Sequence, residues 1–125
     1  MARVLVVEDN LANQRLIRML LESMGHTPTC AYTGEEGWAL AQAGGFDLVL
    51  LDMHLPGIDG FELAGRVKRL YGAKLPIVAV TALAMDGDRD RVMESGCDGY
   101  VSKPISVPEF RKCLGDMLGG NGGAP

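Results

Sequence analysis

The sequence has few residues of several kinds, and each shortage excludes a class of protein. It contains three cysteines in 125 residues, at positions 30, 97 and 113, with no Cys-x-x-Cys pair and no histidine at metal-ligand spacing from them. This pattern argues against a disulfide framework or a zinc site and predicts three reduced, partly buried thiols. Lys and Arg total 12 against 16 Asp and Glu, a formal charge of −4. That balance argues against direct DNA or RNA binding, which depends on basic side chains.

Long hydrophobic runs are also missing. The run Leu48–Leu51 has the length of a strand, far below the roughly 18 apolar residues of a membrane-spanning helix. Glu8 and Asp9 interrupt the apolar stretch near the start before it reaches the length of a signal-peptide core. We therefore expect a cytoplasmic protein with no membrane segment. A chain of 125 residues suits a single domain.

Apolar runs at 4–7, 48–51 and 77–80 are continuous rather than alternating, which is typical of parallel strands buried on both faces. Thr27–Ala31 is a weaker strand that contains Pro28, so we place it at a sheet edge, and Gly99–Ser102 is a short fifth strand. Helical segments separate these strands. Five successive β–α repeats predict an α/β fold with a doubly wound parallel sheet.

Capping residues mark the ends of the predicted helices. Residues 10–24 have helical periodicity, with Asn10 as the N-cap and Gly25 following the helix. Thr33 with Glu36 fits a capping box before a helix that ends near Ala43. The remaining helices start at Asp59 or Gly60, at Asp86 and at Ser106, with Pro108 in the last one's first turn. The apolar faces of the first and third helices are assigned to Leu11, Leu16, Ile17, Leu20, Leu21 and Met24, and to Phe61, Leu63, Val67 and Leu70.

Polar residues follow four of the predicted strands. They are Glu8 and Asp9, then Asp52, then Thr81, and finally Lys103. Because the carboxyl ends of parallel strands share one sheet edge, we expect these side chains to converge. Three crowded carboxylates call for a cation, and a hard divalent ion with oxygen ligands, Mg²⁺, meets that need.

The same set of groups suits phosphoryl chemistry. An ammonium, a hydroxyl and a metal ion together stabilise the oxygens of a transferring phosphoryl group. A carboxylate in such a site can act as nucleophile, and Asp52, the single acid after the central strand, is best placed. Each residue alone also has an ordinary explanation, as a turn acid, strand-end threonine or surface lysine. Their joint placement favours a site.

Two other functions on this fold class remain open at this point. A flavin-binding protein would need a Ser/Thr/Gly-rich phosphate loop after the first strand, where this chain has the acids Glu8 and Asp9. An aspartyl-phosphate phosphatase normally has a second catalytic acid two residues after its nucleophile, and His54 occupies that position.

The motifs together resemble the receiver domain of two-component response regulators, over residues 3 to about 118. The stretch from Ile77 to Phe110 resembles especially the single-domain, DivK-like type, through Ala84-Met85, Gly96-Cys97 and Lys103-Pro104-Ile105-Ser106-Val107. The matching segments are Val6-Val7-Glu8-Asp9-Asn10, Leu50-Leu51-Asp52-Met53, Leu55-Pro56-Gly57 with Gly60, Val80-Thr81-Ala82 and Tyr100-Val101-Ser102-Lys103-Pro104. The resemblance implies a flavodoxin-like, CheY-like (βα)5 fold with strand order 2-1-3-4-5.

The resemblance also implies roles for individual residues. Asp52 would be phosphorylated from a histidine kinase or phosphotransfer protein. Mg²⁺ would be bound by Asp9 and Asp52 directly, by Glu8 through water, and by the backbone carbonyl of His54. Thr81 and Lys103 would bind the phosphoryl group, and the small Ala82 would leave access to it.

Further expectations concern switching and partners. Thr81 and Tyr100 would form a conformational switch, and the bond between Lys103 and Pro104 would be cis. The residues expected to dock the phosphodonor are Asn13, Leu16, Pro104 and Ile105, and those expected to face a downstream protein target are Tyr100 and Met85.

The predicted organisation is a receiver domain over 1–118 and a disordered Gly-rich tail over 119–125. The chain would be a phosphoacceptor switch that supports its own phosphorylation and dephosphorylation, not a classical enzyme. Without an output domain it would act as a stand-alone adaptor or shuttle. The alternative is a receiver cut from a hybrid histidine kinase or a larger regulator.

Overall fold

Strands and helices alternate along the part of the chain that the structure, a computed structural model, describes, which comprises residues 1–82 and 86–118. A short 3₁₀ turn, Gly72–Lys74, follows the third helix. The elements are β1 Arg3–Val7, α1 Leu11–Ser23, β2 Thr27–Ala31, α2 Gly34–Ala43, β3 Leu48–Leu51, α3 Gly60–Tyr71, β4 Ile77–Thr81, α4 Asp86–Glu94, β5 Gly99–Ser102 and α5 Val107–Met117.

The five strands form one parallel sheet in the order β2-β1-β3-β4-β5, which confirms the predicted fold. β2 lies at an edge, where Pro28 requires no ladder partner on its open side. Val7 pairs with Leu51 and Thr81 pairs with Ser102. These registers bring the loops after β1 and β3 side by side, and they place the residue after β5 next to the end of β4.

Helices cover both faces of the sheet. α1 and α5 pack on one face, where Ile17, Leu21, Phe110 and Leu114 are buried. α2, α3 and α4 pack on the other, where α3 contributes Leu63, Ala64 and Val67. Every residue of β3 is buried, because the central strand is covered from both sides.

Two leucines assigned to buried faces are exposed. Leu11 is 54% exposed and Leu70 is 50% exposed. Both lie in terminal turns of their helices, and helices here are longer than the strands they cover. α3 has 12 residues, a length of about 18 Å, whereas β3 has 4 residues and spans about 13 Å. The last turn of α3 therefore extends beyond the sheet.

The predicted caps are present, with two differences. The side chains of Asn10, Thr33 and Asp59 each accept a hydrogen bond from the amide three residues later. The Glu36 carboxylate, however, accepts from the amide of Tyr32, because the long side chain reaches one residue beyond the cap. Ser106 holds the N-cap position of α5 without a side-chain hydrogen bond to that helix.

The three thiols are free, as predicted. Within the described ranges, none of the helices combines the length and the apolar character needed to span a membrane. Met85, expected to face a downstream target, lies outside the described residues. The tail over 119–125 lies outside them as well, and the domain boundary at 118 therefore stays a prediction.

Candidate functional site

Three carboxylates meet at the carboxyl edge of the sheet. Glu8 and Asp9 follow β1, and Asp52 follows the neighbouring strand β3. The backbone amide of Asp52 donates to the Val7 carbonyl at 2.9 Å, which ties the two strand ends together. One carboxylate oxygen from each of the three acids lies within 4.8 Å of the other two. Glu8 and Asp52 are buried and Asp9 is exposed, so the cluster opens to solvent on one side.

Lys103 lies against two of these acids. Its Nζ is 2.9 Å from Oε1 of Glu8 and 3.4 Å from Oδ2 of Asp52. Its backbone amide donates to the Thr81 carbonyl at 2.9 Å, which extends the pairing of β4 and β5 by one residue. Thr81 itself is fully buried. The bond between Lys103 and Pro104 is cis, as the resemblance implied.

Burial and charge act against each other on these groups. Burial raises the pKa of Glu8, with a further contribution from the Asp52 charge, and together they outweigh the Lys103 ammonium and the Asn10 amide, which lower it. Burial alone would lower the pKa of Lys103, but the carboxylates of Glu8 and Asp52 reverse that effect and raise it. The ammonium is therefore held charged in a site with an excess of negative groups.

The loop after β3 fixes the Asp52 carboxylate. The His54 amide donates to its Oδ1 at 3.0 Å, while the His54 side chain is exposed. Gly60, the first residue of α3, packs so closely that a Cβ atom there would overlap Met53 and lie 2.5 Å from the Asp52 carbonyl oxygen. Only glycine fits at this position, which explains its place in the motif.

The same loop is attached to α2. The Ile58 amide donates to Oε2 of Glu35 at 3.1 Å, in the first turn of α2. Gly34 lies directly against the Ile58 carbonyl, with no space for a Cβ atom. Gly57 precedes this contact with a φ of +73°, a conformation that glycine adopts without strain.

The residues present fit a divalent cation. Three carboxylates and one ammonium leave an excess of negative charge, and carboxylate oxygens are the ligands of hard cations such as Mg²⁺. Oε1 of Glu8 is buried and accepts no properly angled hydrogen bond from the described residues, so its contact with Lys103 is an ion pair only. A buried oxygen in this state has capacity for a further positive partner.

Gln14 was not predicted from the sequence. It is buried on α1, and its Nε2 donates to the Glu8 carbonyl at 3.2 Å, which helps to fix the start of the acidic loop. Its position three residues before Ile17 and seven before Leu21 places it on the buried face of α1. A polar residue on the apolar face of the predicted first helix was the signal in the sequence from which Gln14 could have been found.

The residues predicted for switching and for partner binding differ in how far they are exposed to solvent. Tyr100 is half-buried against the core under α2–α4, with the Arg89 guanidinium 6.0 Å from its ring centroid. Pro104 is exposed and Asn13 is half-buried. Leu16 and Ile105 are half-buried and pack against the core under α1 and α5, so the fold uses part of their surface.

Sequence comparisons identify the family. Residues 4–114 match the response regulator receiver domain family. The polar-differentiation response regulator DivK of Brucella ovis is 40% identical over 117 residues, covering 93% of this chain and 95% of DivK. DivK of Brucella abortus (strain 2308) matches to the same extent.

Solved structures give the same result. The receiver domain of sensor histidine kinase PA1611 from Pseudomonas aeruginosa PAO1, with magnesium coordinated in its active site cleft, is 32% identical with a TM-score of 0.86, covering 94% of this chain and 98% of that one. A second match is the co-crystal of the Saccharomyces cerevisiae histidine phosphotransfer protein Ypd1 with the receiver domain of Ssk1. It is 27% identical with a TM-score of 0.85, and the match covers 92% of this chain and 87% of that one. The chain therefore belongs to the response regulator receiver family of two-component systems, whose members are phosphoacceptor switches and not classical enzymes.

Proposed function

We propose that Asp52 accepts a phosphoryl group from a phosphohistidine of a histidine kinase or phosphotransfer protein. The observation that carries the proposal is the position of Asp52, buried between Lys103 and the acids Glu8 and Asp9. An oxygen of Asp52 forms a bond to phosphorus as the bond from phosphorus to the donor's histidine nitrogen breaks, and the electron pair leaves with that nitrogen. The product is an acyl phosphate on Asp52.

The surrounding residues have separate tasks. The His54 amide orients the Asp52 carboxylate. The Lys103 ammonium, which pairs with Asp52 in this structure, can pair instead with the oxygens of the incoming phosphoryl group. The Thr81 hydroxyl donates to the same group. Exposed Ala82 leaves room for the donor.

A magnesium ion would be held by Asp9 and Asp52, by Glu8 through water and by the His54 backbone carbonyl. When bound, it supplies positive charge against the phosphoryl oxygens. Magnesium in the cleft of the PA1611 receiver supports this assignment.

Phosphorylation then changes partner binding. Thr81 moves toward the phosphoryl group, the Tyr100 ring follows into the vacated space, and the surface presented to a downstream protein target is altered. The phosphodonor docks beside the site, over Asn13 and Pro104 and the exposed parts of Leu16 and Ile105. The Ypd1–Ssk1 co-crystal supports a phosphotransfer protein as one class of partner.

We infer that the chain acts as a cytoplasmic adaptor or shuttle that supports its own phosphorylation and dephosphorylation. Its likeness to DivK over nearly the whole of both chains supports this role. The match to the receiver of a sensor histidine kinase favours a second candidate, a receiver that belongs to a larger kinase or regulator.

The test is phosphorylation by acetyl phosphate with Mg²⁺, followed by intact-mass measurement. The wild type gains one phosphoryl group, chelation of Mg²⁺ abolishes the gain, and Asp52→Asn gains none. Asp116→Asn, which removes an exposed acid on α5, serves as the matched control and gains the group normally. Equal labelling of Asp52→Asn would exclude Asp52 as the acceptor. Phosphotransfer profiling against the histidine kinases of the same genome then identifies the donor.

A further inference from the structure

A groove lies between α2 and α3, on the sheet face opposite α1 and α5. Trp38, Arg66, Arg69 and Leu70 line it, and its volume is about 410 Å³. Trp38 is half-buried, and Leu70 is 50% exposed at the end of α3 where the helix extends beyond the sheet. An indole and a leucine thus offer apolar surface to solvent within one shallow, open site.

The groove carries positive charge at its rim. The Arg66 guanidinium lies 5.7 Å from the Trp38 ring centroid and is paired with Glu62. Arg69 is exposed and forms no ion pair with any residue of the described ranges. With Arg66 neutralised by Glu62, Arg69 leaves this rim with one unpaired positive charge among the described residues, in a chain whose formal charge is −4.

Gly65 lies one turn before Arg69 on α3 and is half-buried. A Cβ atom there would make only an ordinary contact, 3.5 Å from an Arg69 nitrogen. Gly37 differs, because its Cβ atom would lie 2.8 Å from Val7 in the core. Glycine inside a helix is unfavourable relative to alanine, and the fold gives no steric reason for it at Gly65. Gly65 therefore leaves the α3 surface beside Arg69 without a side chain.

We propose that this groove, separate from the phosphoryl site, binds an acidic amphipathic helix of a partner protein. The partner's apolar side chains pack on Trp38 and Leu70, and one of its carboxylates pairs with Arg69, since Arg66 is already paired with Glu62. The positive charge at the rim and the apolar surface of the groove match such a helix. Amphipathic helices bind grooves through apolar side chains spaced three and four residues apart along the helix. The exposed guanidinium of Arg69 steers the partner's carboxylates.

Trp38 is the single tryptophan of the chain, so its fluorescence reports directly on the groove. The probe is a synthetic peptide of about 20 residues, long enough to be helical, with leucines at helical spacing and glutamates elsewhere. A second peptide has lysine in place of every glutamate. We expect the acidic peptide to produce a saturable change in Trp38 emission and the basic peptide to produce none.

Two charge reversals separate groove binding from net charge. Arg69→Glu weakens binding of the acidic peptide by about tenfold, the effect of replacing an attraction with a repulsion at the rim. Lys112→Glu makes the same change in net charge on exposed α5, across the sheet, and changes the affinity by less than about twofold. Gly65→Gln weakens binding through bulk, without lowering the thermal unfolding midpoint.

Three results would overturn the proposal. The first is equal binding of the acidic and basic peptides. The second is equal weakening by Arg69→Glu and Lys112→Glu, which would show an effect of net charge alone. The third is the absence of any saturable change in Trp38 emission with the acidic peptide, since the groove would then not bind a helix of this chemistry.

Discussion

Replacing Asp52 with asparagine removes one of three clustered carboxylates and keeps the shape of the side chain. An isolated buried ion pair that loses one partner typically costs about 3–5 kcal/mol. Asp52 differs, because it is attracted to one ammonium and repelled by two carboxylates. The asparagine oxygen can still accept the His54 amide, which preserves the loop hydrogen bond.

The distances give the magnitude of each contribution. At an effective dielectric constant of about 20, Asp52 and Lys103, 3.4 Å apart, attract by about 5 kcal/mol. Two carboxylates no more than 4.8 Å apart repel by about 3.5 kcal/mol or more, and Asp52 has two such neighbours, of which exposed Asp9 is screened by solvent. Attraction and repulsion nearly cancel. Without metal, we expect Asp52→Asn to equal the wild type in stability or exceed it by up to about 2 kcal/mol.

Urea unfolding in EDTA, repeated with Mg²⁺, measures this balance. Mg²⁺ at ten times its dissociation constant should stabilise the wild type by about 1.4 kcal/mol and Asp52→Asn by much less. Lys103→Gln is the opposite case: it leaves the three acids without their ammonium and should cost about 3 kcal/mol in EDTA. A loss of 3 kcal/mol in Asp52→Asn without metal, or equal stabilisation of both proteins by Mg²⁺, would refute the reasoning.

Three further predictions concern the fold. Asn10→Ala removes the N-cap acceptor of α1 and should lower the free energy of unfolding by about 1 kcal/mol in a urea titration. Phe110→Ala empties a fully buried site under α5 and should cost about 3–5 kcal/mol in the same titration, whereas Lys112→Ala on the exposed side should cost little. Burial raises the pKa of Cys97 to about 11, so only the unfolded chain releases this proton near the ordinary value of 9.0. Stability should therefore fall as pH rises from 9.0 towards 11, and this loss should be smaller in Cys97→Ala.

The sequence allowed most of the fold to be predicted, because each local signal has a short-range physical cause. The continuous apolar runs became buried strands, Pro28 marked the edge strand, and the side chains of Asn10, Thr33 and Asp59 cap their helices. The convergence of Glu8, Asp9 and Asp52 followed from the rule that parallel strands end at one edge.

Other features depend on distances that a sequence pattern does not contain. Periodicity assigned Leu11 and Leu70 to buried faces, but it does not show where a helix extends beyond the end of the sheet that it covers. It also could not show that Lys103 lies closer to Glu8 than to Asp52, since that depends on strand register and side-chain reach. The role of Gln14 required knowing which backbone carbonyl lies beneath α1.

The contact between the loop after Asp52 and the first turn of α2 has a dynamic consequence. The Ile58 amide proton is held by Glu35, and the Ile58 carbonyl lies against Gly34, so opening of either segment removes a contact of the other. The loop that carries the oriented aspartate and the start of α2 therefore belong to one local unfolding unit. Hydrogen exchange at the single amide of Ile58 thus reports the loss of this contact with α2, a helix that contributes no side chain to the acidic cluster.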